Sequence, residues 1–588
     1  MKIFSTIKRF ILMVLAVIVG GLCLFFFVIG IVAGVAASSS TKEQTKGPSV
    51  LTLNLEDEIV DRSVSDMQLL ASSLMNGQKE AMGLDQILDA LLCAQDDDNI
   101  TGIVIRGQAV NTDYAIMSEL RRAIVDFRSN CGKPVYFYDN GISAAGMYIA
   151  SAADSIFITP LGSVALRGVT SNKMYFKGLA DKVGVGFDVV KHGRYKSAIE
   201  SFTQNDISKE DREQTQRYVD MIWREIRDSI ASGRGVEASV IDKYVDEIKY
   251  ISTADYPMEI GLIDGAMYRD EFLQRLRTAI GIEEDKEIPS ISIASYGAKE
   301  DEVAKPKNQI AIVYALGEIK DGSNKSDYNN IYGEDLAREL RKVRTNEDIK
   351  AIVLRVNSPG GSALASDIIW REVKLTSEVK PVVVSMGGYA ASGGYYISCA
   401  ADFIMAENAT LTGSIGVFGL IPNMQKLSEN MGVSQAPVSS NKNPLLLGYK
   451  SLTPNQLTTL QSSVDNTYDT FVGRVAEGRQ MSRQAVDSIA QGRVWTGLDA
   501  VSNGLVDEIG GIYEALDVAA ELASLDGDYE VVALPEQKDS PFDMAMRMMN
   551  VQNLVQTIFP HLASKADKVE NMLEYSEHDF NFKIMMHM

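Results

Sequence analysis

Two stretches of this chain read alike at a spacing of about 250 residues, and that duplication constrains the fold more than any other feature. GLDQILDALLCAQDDDNITGIVIR runs from Gly83 to Arg106, and GEDLARELRKVRTNEDIKAIVLR from Gly333 to Arg355. Each is an amphipathic helix with apolar positions at i, i+3 and i+4, then an acidic turn, then a β-branched run ending in Arg. A second strand follows Lys-Pro in both copies, KPVYFY from Lys133 and KPVVVS from Lys380, and leads into GISAAGMYIASAAD and GYAASGGYYISCAAD. LTLNLEDEIVDRS and AIVYALGEIKDGS open the halves, and GLIDG and GLVDE come late, near Gly261 and Gly504. The order of these matches is preserved, which makes chance similarity a poor explanation. Strands alternating with helical stretches imply βαβ units and a sheet with substantial parallel pairing. The expected body is therefore α/β, two copies of one domain at 47–298 and 308–534, with the polar KEDEVAKPKN from Lys299 to Asn308 at their boundary.

Ahead of the copies, Phe10 to Ala37 gives 28 residues without a charge. At about 1.5 Å per residue, a helix of that length exceeds a hydrocarbon core of about 30 Å. Lys2, Lys8 and Arg9 precede it, so residues 1–9 are expected to stay cytoplasmic while 10–37 span the membrane and the body lies outside. The small residues of VAASSS allow a cleaved signal peptide instead, but the apolar run is well beyond the roughly 7–15 residues of an h-region. The tail, 535–588, contains the Met-rich PFDMAMRMMNVQNLVQTIFPHL from Pro541. It suits either a membrane-surface or partner contact or a packing helix, and its scarcity of basic residues favours packing.

Composition narrows the chemistry. With 57 basic against 78 acidic side chains, the net charge of −21 disfavours a nucleic-acid partner. There are four His, and three of them (His561, His578, His587) fall near the C-terminus, leaving His192 in the body. Cys23, Cys93, Cys131 and Cys399 form no CxxC pair and read as small apolar packing residues. No P-loop, HExxH or EF-hand loop occurs, so no metal or cofactor is expected.

The copies differ where chemistry would lie. Ser392, in SMGGYAASGGYY after an apolar strand, pairs with Ala145 of the first copy, so one half offers a nucleophile. The following Gly393 and Gly394 permit close backbone approach and N–H groups aimed at a reacting oxygen. On its own Ser392 reads as a packing serine, since Ala390 stands where a GxSxG motif would have its first Gly. Lys196, which alone reads as a solvated surface charge, has Pro444 opposite it. NSPGGS from Asn357 is a two-glycine turn where the first copy has QAVNTD. One half lacks the serine and the other the lysine, and this complementary loss points to one composite site.

SPGGS from Ser358, GGYAASGGYY around Ser392, LTGSIGVFG around Ser414, YKSAIESF around Lys196 and RVWTGLDAVSNGLVDEIGG from Arg493 closely resemble the signal peptide peptidase A (protease IV) family, in its long duplicated form. The resemblance runs from the leader to about Leu534. It implies a membrane-bound serine endopeptidase with a crotonase- or Clp-protease-like fold in each half, assembled as a bowl-shaped homotetramer. In that family Ser392 would be the nucleophile, Lys196 the general base, and Ser414 the group that orients the lysine. His192 is the alternative base. Neutral lysine is needed, so burial must depress its pKa from about 10.4. The oxyanion donors would be the N–H groups of Gly360 and Gly393, with Gly361 as the alternate if the turn shifts by one residue. The implied location is the outer face of a bacterial inner membrane, and the implied substrates are signal-peptide remnants and unfolded apolar segments. Two rival readings remain. One is a crotonase-like acyl-CoA enzyme, disfavoured by a body outside the cytoplasm. The other is a catalytically inactive membrane scaffold, disfavoured because Ser392 and Lys196 are both present.

Overall fold

The structure, a computed structural model, describes residues 47–63, 81–283, 286–296, 308–324, 327, 329–441, 444–445, 447–527, 529–536 and 586–587. The apolar leader 10–37 and the Met-rich stretch from Pro541 lie outside the described residues. Among the described residues, no helix is long and apolar enough to cross a membrane.

The first half opens with β1 (Ser49–Asn54), α1 (Leu84–Asp96), β2 (Ile100–Arg106) and α2 (Tyr114–Cys131). Helix α1 buries Leu84, Ile87, Leu88, Leu91 and Ala94, one stripe at helical spacing. Asp113 caps α2 by accepting the Ile116 N–H at 3.0 Å, and Gly132 ends it in the left-handed region. Next come β3 (Val135–Asp139), α3 (Ala144–Ala150), β4 (Ser155–Ile158), α4 (Lys177–Val183), β5 (Gly186–His192), α5 (Lys209–Arg234), β6 (Gly265–Ala266) and β7 (Ser290–Ser292). The sheet order is β6-β4-β3-β2-β1-β7, and every pair is parallel.

The second half repeats the plan. It runs through β8 (Gln309–Leu316), β9 (Glu318–Lys320), α6 (Gly333–Thr345), β10 (Ile349–Ser358), α7 (Ala363–Ser377), β11 (Val382–Ala391) and α8 (Gly393–Ser398). It continues with β12 (Phe403–Ala406), β13 (Leu411–Gly413), β14 (Val417–Asn423), α9 (Gln425–Asn430), α10 (Pro454–Gly478), β15 (Val494–Thr496), α11 (Ile512–Leu522) and β16 (Glu530–Leu534). The order is β15-β13-β11-β10-β8-β16, parallel except between β13 and β15, with β12 also on β11. In both sheets the last strand of the half returns to flank its first.

Strands β10 and β11 are near-continuous apolar runs because both faces of this sheet are covered. Ala351, Val353 and Val383 point into a core shared with the first half, whereas Ile352, Leu354, Val382 and Val384 pack under the second half's own helices. One element crosses over. Strand β5 of the first half pairs antiparallel with β14 of the second, from Gly186 opposite Asn423 to His192 opposite Val417.

The two copies differ by one residue in length around the serine. From strand start to helix cap the second half runs from Val382 to Cys399 and the first from Val135 to Ser151, one residue shorter. Counted from the strand starts, Ser392 falls opposite Ala145, as in the sequence comparison, and counted from the helix caps Ser151 and Cys399 it falls opposite Ala144. The extra residue carries β11 on to Ala391 and leaves Ser392 at the turn. Left-handed Gly184 caps α4 and left-handed Gly432 follows Met431, the cap of α9; Pro444 is as far beyond Gly432 as Lys196 is beyond Gly184.

Candidate active site

Strand β11 ends at Ala391, and Ser392 turns the chain into α8 with φ 60° and ψ −115°, a conformation in which a side chain is strained. Hydrogen bonds hold it there: its N–H donates to Gly413 O at 2.8 Å and its carbonyl accepts the Tyr396 N–H at 2.9 Å. The turn after β10 lies directly against this corner. Gly360 has φ 104°, and a Cβ on it would lie 2.7 Å from Gly393 N and 2.8 Å from Ser392 Cβ. The site thus needs a residue without a side chain in the turn opposite the serine.

Lys196 reaches the same point from the first half. Its backbone leaves β5, and its Nζ lies 2.7 Å from Ser392 Oγ and 3.0 Å from both Ser414 Oγ and Ser414 O. Both side chains are buried, Lys196 being 4% and Ser392 1% exposed. Burial alone pulls the Lys196 amine down to about 7 from 10.5. As an ammonium it donates to all three oxygens. As a neutral amine it has two hydrogens and one lone pair. The carbonyl of Ser414 can only accept, so pairing the two hydrogens with Ser414 leaves the lone pair facing the Ser392 hydroxyl.

The structure therefore brings together Ser392, Lys196, Ser414, Gly360 and Gly393. Gly393 opens α8, where N–H groups have no intrahelical acceptor. The Gly360 N–H donates to Ser358 Oγ at 3.2 Å. Gly361 is turned the other way, onto β9, where a Cβ would meet Ile319 O at 2.0 Å. His192 is engaged elsewhere: its Nδ1 is 2.7 Å from Asp465 Oδ1 and its ring stacks on Tyr468. Among the described residues, no group of His, Cys, Asp or Glu could hold a metal ion.

A second layer escaped the sequence reading. Arg355, wholly buried on β10, bonds Asp61 at 2.8 Å and Glu119 at 2.7 Å, both from the first half, and Ser385 Oγ at 2.8 Å. Burial pushes Glu119 up to about 7 despite this guanidinium. Asn357 Nδ2 donates to Asp61 at 2.6 Å and to Asp113 at 2.7 Å, fixing the start of the turn that carries Gly360. Burial, followed by the neighbouring Asp61 charge, raises the Asp113 carboxyl. The repeated Arg at the end of each strand run was the available signal, but Arg106 is exposed and only Arg355 faces the other half.

Comparison with known proteins identifies the family. The family model for peptidase family S49 matches residues 128–283 and again 374–526, and the Clp protease model matches residues 323–411. Protease 4 of Haemophilus influenzae is 35% identical over 85% of this chain and 83% of its own length. Protease 4 of Salmonella typhi is 34% identical over 91% of this chain and 88% of its own. The chloroplastic serine protease SPPA of Arabidopsis thaliana is 33% identical over 82% and 70%. Two matched copies and relatives aligned along most of both lengths lead to one conclusion: the chain belongs to peptidase family S49, the serine proteases of the signal peptide peptidase A (protease IV) type.

Proposed function

We propose that this chain is a membrane-anchored endopeptidase whose nucleophile is Ser392 and whose general base is Lys196. The observation that carries the reading is the buried 2.7 Å contact between Lys196 Nζ and Ser392 Oγ, made by an amine whose charged form is disfavoured by burial. Ser392 Oγ attacks the scissile carbonyl carbon while Lys196 takes its proton. The oxyanion is met by the Gly393 N–H and by the Gly360 N–H, which at rest donates to Ser358 Oγ. Lys196 then hands the proton to the leaving amine. Water, activated by the same amine, hydrolyses the acyl-enzyme. Ser414 holds two of the three directions around Nζ and so aims the lone pair at Ser392.

The apolar leader supports placement of this site beside the outer face of a bacterial inner membrane, with residues 47–298 and 308–534 as its two protease-like domains. Substrates are then signal-peptide remnants and other extended apolar segments that emerge there. Assembly as a homotetramer is supported by an asymmetry of pairing. Strand β5 pairs with β14 inside the chain, yet their equivalents by the repeat, 434–440 and 169–175, carry no strand and are largely exposed. A neighbouring copy placed head to tail would supply each with its partner.

The test is a fluorophosphonate label and a casein digest on the full chain in detergent. Wild type should label and cleave, Ser392→Ala should do neither, and Lys196→Ala should lose at least about a thousandfold in turnover while remaining folded. Near-normal turnover by Lys196→Ala would falsify the base assignment.

A further inference from the structure

The distance from Lys196 Nζ to its two serines depends on how the Lys196 segment is fastened, because the lysine comes from one half and the serines from the other. That segment lies between two supports. On one side is the stretch Gln491–Val494 of the second half. Gln491 O accepts the Tyr195 N–H at 2.9 Å, and Gly492 packs so closely that a Cβ on it would be 2.7 Å from Lys196 Cβ. The same stretch holds the serine loop: Arg493 O accepts the Ser414 N–H at 2.7 Å, and the Gly492 N–H donates to Ile415 O at 2.7 Å. Four residues thus brace the lysine and Ser414 together.

On the other side is α5. Gln214, 4% exposed, directs its Nε2 at Tyr195 O (3.2 Å), Ser197 Oγ (2.9 Å) and Asp211 Oδ1 (3.1 Å), while its Oε1 accepts the Val494 N–H at 3.1 Å. One carboxamide therefore bonds the residues before and after Lys196 and also the brace that holds Ser414. Only a group with both donors and an acceptor can do this. The charged groups that face the segment from α5 and its neighbours are already satisfied. Asp211 is bridged by Lys173 at 2.5 Å and accepts the Ser197 hydroxyl, Glu213 pairs with Arg493 at 3.0 Å, and Glu200 accepts from the Ser208 hydroxyl.

We propose that Gln214 is a positioning residue for peptide-bond hydrolysis: its carboxamide locks the Lys196 segment onto residues 491–494 and so sets Lys196 Nζ against Ser392 and Ser414. The proposal rests on the reading of Lys196 as the base. Gln214 does not touch the reacting atoms; it acts through the lysine. Among the described residues, no other side chain hydrogen-bonds both flanks of Lys196 and the brace.

The experiment compares full-length wild type with Gln214→Leu, Gln214→Glu and Lys196→Ala, measuring kcat, KM and thermal midpoint on a peptide amide from about pH 6 to 10. Gln214→Leu keeps the volume and removes every polar contact; kcat should fall on the order of a hundredfold, with KM within about twofold and the folded fraction unchanged. Gln214→Glu puts a carboxylate beside Asp211 and near the lysine. It should lower kcat and also move the alkaline rise of kcat to higher pH, because added negative charge favours the ammonium. A glutamine that only fills space would let Gln214→Leu keep kcat at an unchanged folded fraction. The proposal is overturned if Gln214→Leu keeps kcat within about threefold of wild type, if the activity of either variant falls only in step with its folded fraction, or if Gln214→Glu leaves the midpoint unmoved. Lys196→Ala separates the two claims. If it is inactive while Gln214→Leu is normal, only the positioning role fails; if it stays active, the base assignment fails and the positioning role with it.

Discussion

Lys196 is surrounded by three oxygens that carry no formal charge, so hydrogen bonds but no counter-charge replace the water its ammonium has lost. Its amine is held at about 7 where an exposed lysine has 10.5, and the difference is a cost to the fold. The sign follows from the folded value being the lower one. The cost is full below pH 7, shrinks between pH 7 and 10.5, and is gone above that, where the amine is neutral in both states. At neutral pH it is on the order of 4 kcal/mol, offset by hydrogen bonds worth about 1 kcal/mol each. Lys196→Met keeps the stem and removes both terms, so it should be more stable than wild type by ~1 kcal/mol at pH 7, with the advantage lost as pH rises towards 10.5. Urea denaturation at the two pH values measures this; a variant less stable than wild type at pH 7 would mean that the lysine contributes to stability instead of straining it. With Lys196 as the proposed base, activity should rise with pH around a midpoint near 7. A flat profile between about pH 6 and 9 would contradict a lysine base.

At the level of elements, the corner between β11 and α8 works because the turn after β10 presents a glycine to it. Gly360→Ala would need a left-handed backbone for a side-chain residue and would drive a methyl to within 2.8 Å of Ser392 Cβ. Since the serine has no room to retreat, turnover should fall by roughly a hundredfold or more while substrate binding changes little. Ser362→Ala, further along the same loop, provides the control for general loop damage. Equal losses from both would show that the turn is merely fragile. Much of this arrangement is legible in the chain. The helical stripe of α1, its repeat in α6 and the strands after them are visible because each half buries the same pattern, and the serine and lysine stand out because each copy lacks what the other has. Where the one-residue difference in length around Ser392 falls is not legible, since a run of Ala, Ser and Gly can be aligned in two registers. Nor is Gln214: in KEDREQTQRYVD it reads as one more polar residue on a surface helix, and only the packing of α5 beside Lys196 buries it.

At the scale of the whole molecule, two kinds of joint must hold. The first lies between the halves, where buried Arg355 of one meets buried Asp61 and Glu119 of the other. Arg355→Ala leaves two buried carboxylates without their cation and should cost about 3–5 kcal/mol. Arg355→Met combined with Asp61→Asn and Glu119→Gln removes the charges together and should regain most of that loss; equal thermal midpoints for wild type and Arg355→Ala would show the ion cluster to be inert. The second joint is the proposed one between copies. Within the chain, the repeat has used only one of its two cross-pairings, and the unused segments carry apolar side chains that solvent reaches freely. Val438 is 100% exposed, Met174 68% and Val433 54%, with Leu179 and Met431 exposed beside them. Because the two surfaces differ, in the proposed assembly each copy would offer one and take up the other, and head-to-tail contacts of this kind close into a ring if the rotation allows. Light scattering on the full chain in detergent should therefore give a mass several times that of one chain. Val438→Asp and Met174→Asp, which place a charge on each of the two surfaces, should each reduce it to the monomer with the fold intact. A monomeric wild type, or an oligomer indifferent to both substitutions, would mean that these strands meet no second copy.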